Sequence, residues 1–118
     1  MIDVHQRVGA AIIVLGVVGA VWAAVQLWRR TVSPTFRAYV RLLAGLIALQ
    51  AVFGIVLVIG GNRPTEGLHF IYGPATLLAL PVAIGLSFGR DARGEASTLL
   101  LGCVAVVLLA ARAVTTGG

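Results

Sequence analysis

The sequence predicts an all-α integral membrane protein, a single four-transmembrane-helix bundle over residues 1–118. Two observations carry that expectation. Hydrophobic residues make up 59% of the chain and charged residues 11%, with a mean hydropathy of +1.03. A soluble domain of this size has too little interior to hide so much apolar surface. The apolar residues also gather in four long runs, near 8–28, 42–59, 68–88 and 96–111, and runs of about 18 residues or more are membrane spans. The expected helices are about 4–28, 35–60, 66–88 and 95–113.

Helix one opens on His5. His5, Gly9, Ile12, Gly16, Gly19 and Ala23 fall on one stripe at 3.6-residue spacing. Small residues on such a stripe let a neighbouring helix or a flat macrocycle approach closely. Trp28 marks the far interface, where Arg29 and Arg30 leave the membrane. The run exceeds the apolar core of a signal peptide, and no cleavage site precedes a soluble domain, so a retained helix is expected. Trp22, Trp28 and Tyr39 read as core and belt residues.

Helix two begins with Ser33 as N-cap and Pro34 in the first turn. Gln50 is the one clearly polar side chain in the middle of its span, and it should hydrogen-bond to another helix. Gly60, Gly61 and Asn62 stop the helix. Thr65 is a candidate cap for helix three, whose Pro74 lies near its start. Pro81 should bend or locally unwind the same helix. A polar turn over 89–95 leads into helix four, a plain span of Leu, Val and Ala.

The net charge of +5 comes from nine basic residues, all arginine, against four acidic ones. They sit at span ends and form no patch, so the bilayer is the expected partner and nucleic acid is not. The single cysteine, Cys103, excludes an internal disulfide and any Cys-based zinc or iron–sulfur centre within one chain. It reads as a small buried hydrophobe. With four spans, Arg29, Arg30, Arg37, Arg41, Arg90 and Arg93 share one face, and Arg7, Arg63 and Arg112 share the other. The positive-inside rule then places the first group in the cytoplasm and both termini outside the inner (plasma) membrane.

Function is expected at the two histidines. His5 and His69 each open a helix, each has glycine four residues on (Gly9 and Gly73), and the two helices run in the same direction. Their imidazoles should therefore lie at one depth near the outer interface, where two neutral rings can ligate one haem iron in a low-spin, electron-transferring form. Gly9 and Gly73 would leave room for the ring edge. Arg7, Arg63 and Arg112 are candidate partners for the propionates, and Phe70 and Tyr72 are candidates to pack on the macrocycle. A lone interfacial histidine is more simply a solvated or capping side chain. The matched pair is what raises the ligand reading.

These segments resemble the heme A synthase family. His5-Gln6-Arg7 is similar to the His-Arg that opens a haem-ligating helix there, and Leu49-Gln50-Ala51-Val52-Phe53-Gly54, followed by Leu68-His69, is similar to the next helix pair. The resemblance covers the whole chain as one four-helix half of those enzymes, each half of which holds a histidine pair at the outer side of the membrane. It implies haem at His5 and His69. The family's catalytic glutamate, three residues before the first histidine, is Ile2 here, with Asp3 one residue out of register. The family's extracellular cysteine pair is absent and the outer loop over 60–67 is short.

The expectation is accordingly a membrane-bound protein carrying haem b between His5 and His69. It would act in electron transfer or as the haem-carrying subunit of a membrane redox complex, with a quinol or cytochrome as redox partner and homo-oligomer or larger-complex assembly. The alternatives are a half-size heme A synthase-like enzyme or assembly factor, and a cofactor-free structural subunit.

Overall fold

The computed structural model describes residues 2–61, 67 and 69–117, and among them it contains four helices and no strand. They are α1 (Ile2–Arg29), α2 (Pro34–Ile59), α3 (His69–Ser87) and α4 (Ala92–Gly117). All four are long and apolar enough to cross a bilayer. The bundle measures 47 × 21 × 19 Å, which matches a membrane of about 40–45 Å with its headgroups. Its outer surface is apolar: Val14, Val21, Leu42, Ile55, Leu78, Leu101 and Leu108 are all more than half exposed. A surface of this kind belongs against the apolar interior of a bilayer.

The stripe expected on α1 is its buried face. Gly9, Ile12, Gly16, Gly19 and Ala23 are buried and His5 is half-buried. A Cβ at Gly16 would stand 2.9 Å from Val107 Cγ2, and one at Gly19 would stand 3.0 Å from Cys103 Sγ. The glycines thus bring α4 onto α1, and Cys103 fills the seam as a fully buried side chain. Each of α1 and α3 neighbours both α2 and α4. The two histidine-bearing helices therefore stand diagonally across the bundle. α4 is packed tightly against both of them, and α2 stands further off.

The arginine-rich end is held by several local devices. The Ser33 hydroxyl accepts from the Phe36 N–H at 3.1 Å, as a cap should, with Pro34 at the first helical position. The Gln26 side chain accepts from the Ser33 N–H at 2.6 Å and ties the α1–α2 turn to the core. Trp22 stacks obliquely on Phe36 and Tyr39, at 5.4 and 5.3 Å, while the Tyr39 hydroxyl donates to the Leu15 carbonyl. Tyr39 is therefore an inter-helix strut as well as a belt residue.

Three expectations change. α4 begins at Ala92, inside the expected polar turn, because Asp91 caps it: its Oδ1 accepts from the Gly94 N–H at 2.8 Å. α3 runs unbroken through Pro81. The ring of Pro81 crowds a carbonyl of its own helix, that of Leu77 four residues back, and the helix accommodates it without a break, with the proline on its exposed side. α3 is assigned from His69, and the candidate cap Thr65 lies outside the described residues, as does Arg63.

Arg30 has φ 55, and it ends α1 in a Schellman-type arrangement. Its N–H donates to the Leu27 carbonyl and that of Thr31 to the Gln26 carbonyl, each at 3.1 Å. A left-handed conformation costs an L-residue about 1–2 kcal/mol. Arg30→Gly is expected to raise stability by roughly 0.5–1 kcal/mol, read as a higher melting temperature in detergent. An unchanged or lower value would contradict this account of the turn.

Candidate functional site: a histidine pair across the bundle

His5 and His69 meet across the diagonal of the bundle. Their ring centroids are 6.1 Å apart and the ring planes are inclined by 73°. Both side chains are half-buried. Equal depth follows from the fold, since α1 and α3 start at the same end and each carries its histidine in the first turn or so.

His69 is oriented by α4. Its Nδ1 lies 2.7 Å from the Ala113 carbonyl oxygen. A carbonyl can only accept, so Nδ1 is the donor, and in the neutral ring Nε2 then keeps its lone pair. That is the tautomer of a metal-ligating histidine whose second nitrogen is fixed by a backbone acceptor.

His5 is positioned by α2. Its ring lies over Gly54, where a Cβ would stand 3.2 Å from Cε1 and 3.8 Å from Nε2. The Gln50 amide, one turn earlier on the same face of α2, donates to the His5 carbonyl at 2.5 Å. Gln50 is thus the inter-helix hydrogen bonder its sequence position indicated. Two atoms remain without partners among the described residues: His5 Nδ1 and Gln50 Oε1 are both buried. Orphaned polar atoms in a low-dielectric interior are costly unless a water or another group meets them.

The other candidates are distributed unevenly. The space in front of Gly9 is occupied, with a Cβ there falling 3.4 Å from Gln50 Nε2 and 3.5 Å from Val114 Cγ2, so it serves helix approach instead of holding open room for a ring edge. Gly73 faces open space, with nothing within 4 Å of a built Cβ. The Arg112 guanidinium lies over the Tyr72 ring, 5.5 Å from its centroid, a cation–π contact that joins α4 to α3 at this end. Arg7 is exposed, and Phe70 is 47% exposed.

The separation of the rings can be compared with coordination geometry. A metal–imidazole bond is about 2 Å and a ring nitrogen lies about 1.1 Å from its ring centre, so two imidazoles on one metal ion have centroids about 6.2 Å apart. The observed 6.1 Å matches that spacing as a centroid distance, and it is equally the distance of a direct edge-to-face ring contact. Among the described residues no group of three or more His, Cys, Asp or Glu side chains is gathered. Two imidazoles do not complete the four-coordinate shell of a structural zinc site. They do complete the shell of an iron whose other four ligands come from a macrocycle.

From the sequence, Gly54 enters only as the end of the segment Leu49–Gly54, with no part in the site, and Ala113 does not enter at all. A signal for Gly54 existed, since it follows Gln50 by four residues and so shares its face. Ala113 contributes only its backbone, and no side-chain pattern announces that. Comparison of the chain with protein-family models, with curated proteins and with solved structures finds no match.

Proposed function

We propose that the chain is a membrane haem protein of the b type, with His5 and His69 as axial ligands near the outer face of the inner membrane and both termini outside. Its role is electron transfer, alone or as the haem-carrying subunit of a membrane redox complex that exchanges electrons with a quinol or a cytochrome. The 6.1 Å separation of two imidazoles on diagonal helices is the observation that carries this reading.

Haem, when bound, supplies the one-electron chemistry. The residues of the chain hold and orient it. Ala113 keeps Nε2 of His69 available, Gly54 admits the His5 ring, and Gln50 pins the backbone from which that ring projects. Arg7, Arg63 and Arg112 are the candidate propionate partners.

The rival is a cofactor-free scaffold, because 6.1 Å also lies within the range of ordinary edge-to-face ring contacts. The orientation of His69, whose Nδ1 is held by the Ala113 carbonyl as the second nitrogen of a metal-ligating histidine is, favours the haem reading. The deciding measurement is the absorption spectrum of the purified protein, before and after dithionite. A sharp Soret band with resolved visible bands on reduction is expected. Protein that stays colourless after expression with added haem, and takes up none on titration with haemin, refutes the proposal.

Gly54→Val tests the role of α2. Its branched side chain would occupy the position of the His5 ring, so haem retention is expected to fall by about 10–100-fold with helicity unchanged. Retention equal to the parent chain would remove Gly54 from the site.

A further inference from the structure

At the end of the bundle remote from the histidines, α2, α3 and α4 enclose a cleft of about 320 Å³. From the level of Gly54 to that of Arg41 is roughly 20 Å along α2, so this cleft is no part of the haem site. Three arginines line it, Arg37 and Arg41 from α2 and Arg90 from the α3–α4 turn, against one carboxylate, Glu95. That carboxylate is committed. Arg37 donates to it in bidentate fashion, with Nε to Oε2 at 2.7 Å and Nη2 to Oε1 at 2.8 Å. Arg90 spends only its Nε, on the Leu86 carbonyl at 2.8 Å. Arg41 donates to no protein acceptor among the described residues.

The walls are of the other kind. Ile84 of α3 and Phe88, just past its end, contribute apolar surface to the same cleft, and Phe88 is 69% exposed. Two guanidiniums with donors to spare, set above an apolar wall that continues onto the lipid-facing surface, match the two parts of a phospholipid: a phosphate and an acyl chain. The site lies at the level of a headgroup, between helices, on the arginine-rich side.

We propose that this cleft binds the headgroup phosphate of an anionic phospholipid, with Arg41 and Arg90 as its principal donors. The Arg37–Glu95 pair acts as the fixed wall beside them.

The test is retention of phosphatidylglycerol against phosphatidylcholine by the full-length protein, measured by native mass spectrometry in detergent and by competition in nanodiscs. The wild-type chain is expected to hold phosphatidylglycerol in preference. The double variant Arg41→Gln, Arg90→Gln should weaken that preference by about 10- to 30-fold, at roughly one guanidinium contact each. Arg29→Gln, which removes an exposed arginine from the same face outside the cleft, should leave it intact. Wild-type protein with no preference for phosphatidylglycerol overturns the proposal, whatever the variants do. Equal losses in Arg29→Gln and in the double variant also overturn it, as that would be a general surface-charge effect. Inorganic phosphate or glycerol phosphate displacing the lipid at millimolar concentration would reassign the cleft to a free phosphate and sink the lipid assignment.

Discussion

On the proposed haem assignment, His69→Ala is expected to abolish the reduced haem spectrum, or leave a weakly held five-coordinate form, while the four helices persist. The expected loss of haem affinity is at least about 100-fold, since even residues that merely orient a ligand are worth about 10–100-fold and this substitution deletes the proposed ligand. The fold has little stake in the side chain. It is half-buried, and its hydrogen bond to Ala113 is worth about 1 kcal/mol net. Circular dichroism should be nearly unchanged. His5→Ala should act in the same way on the haem, and it too leaves the helices in place, because Gln50 holds the His5 backbone carbonyl and not its ring. The measurement is the dithionite-reduced spectrum together with haem stoichiometry. An unchanged spectrum in either variant would remove that residue from the iron.

Gly102→Val is expected to be the most damaging substitution in the membrane-embedded packing. A Cβ at Gly102 would lie 2.6 Å from the Ala83 Cβ and 3.3 Å from Leu80 Cδ2. Leu80 can change rotamer, but the Ala83 methyl is attached directly to the backbone of α3, so only separation of the helices relieves the clash. Overpacking of this kind costs about 1–3 kcal/mol, and it also loses the close approach on which helix association in lipid depends. The expected result is a clear fall in melting temperature in detergent, with weakened haem retention, because α4 carries the carbonyl that orients His69. Gly45→Val is the control. Gly45 is exposed with nothing within 4 Å of a built Cβ, and its replacement should change little. Equal melting of the two variants would show that the α3–α4 contact is not what sets stability.

What the sequence determined by itself is what depends on one helix and its solvent. Four apolar runs in a chain with 11% charge have no stable arrangement other than helices in lipid, because unpaired backbone groups are prohibitive there. The face of α1 was equally legible: His5, Gly9, Ile12, Gly16, Gly19 and Ala23 recur at the helical period, and the bundle turns that stripe inward. The Ser33 cap and the polar contact at Gln50 are likewise local, and both are present.

Periodicity names the inward face of a helix but not what that face meets. That α1 and α3 are diagonal, that the His5 ring settles on Gly54 and that His69 donates to Ala113 depend on how four nearly featureless cylinders choose neighbours. That choice is made by close contacts such as Gly102 on Ala83 and Gly16 on Val107, each set by a missing side chain on one helix and a small or rotatable one on the other. The Arg37–Glu95 bridge joins residues 58 positions apart, and the arginine cleft exists only once α2, α3 and α4 converge. These features depend on pairwise complementarity between helices, which is a property of the assembled bundle and not of any one segment.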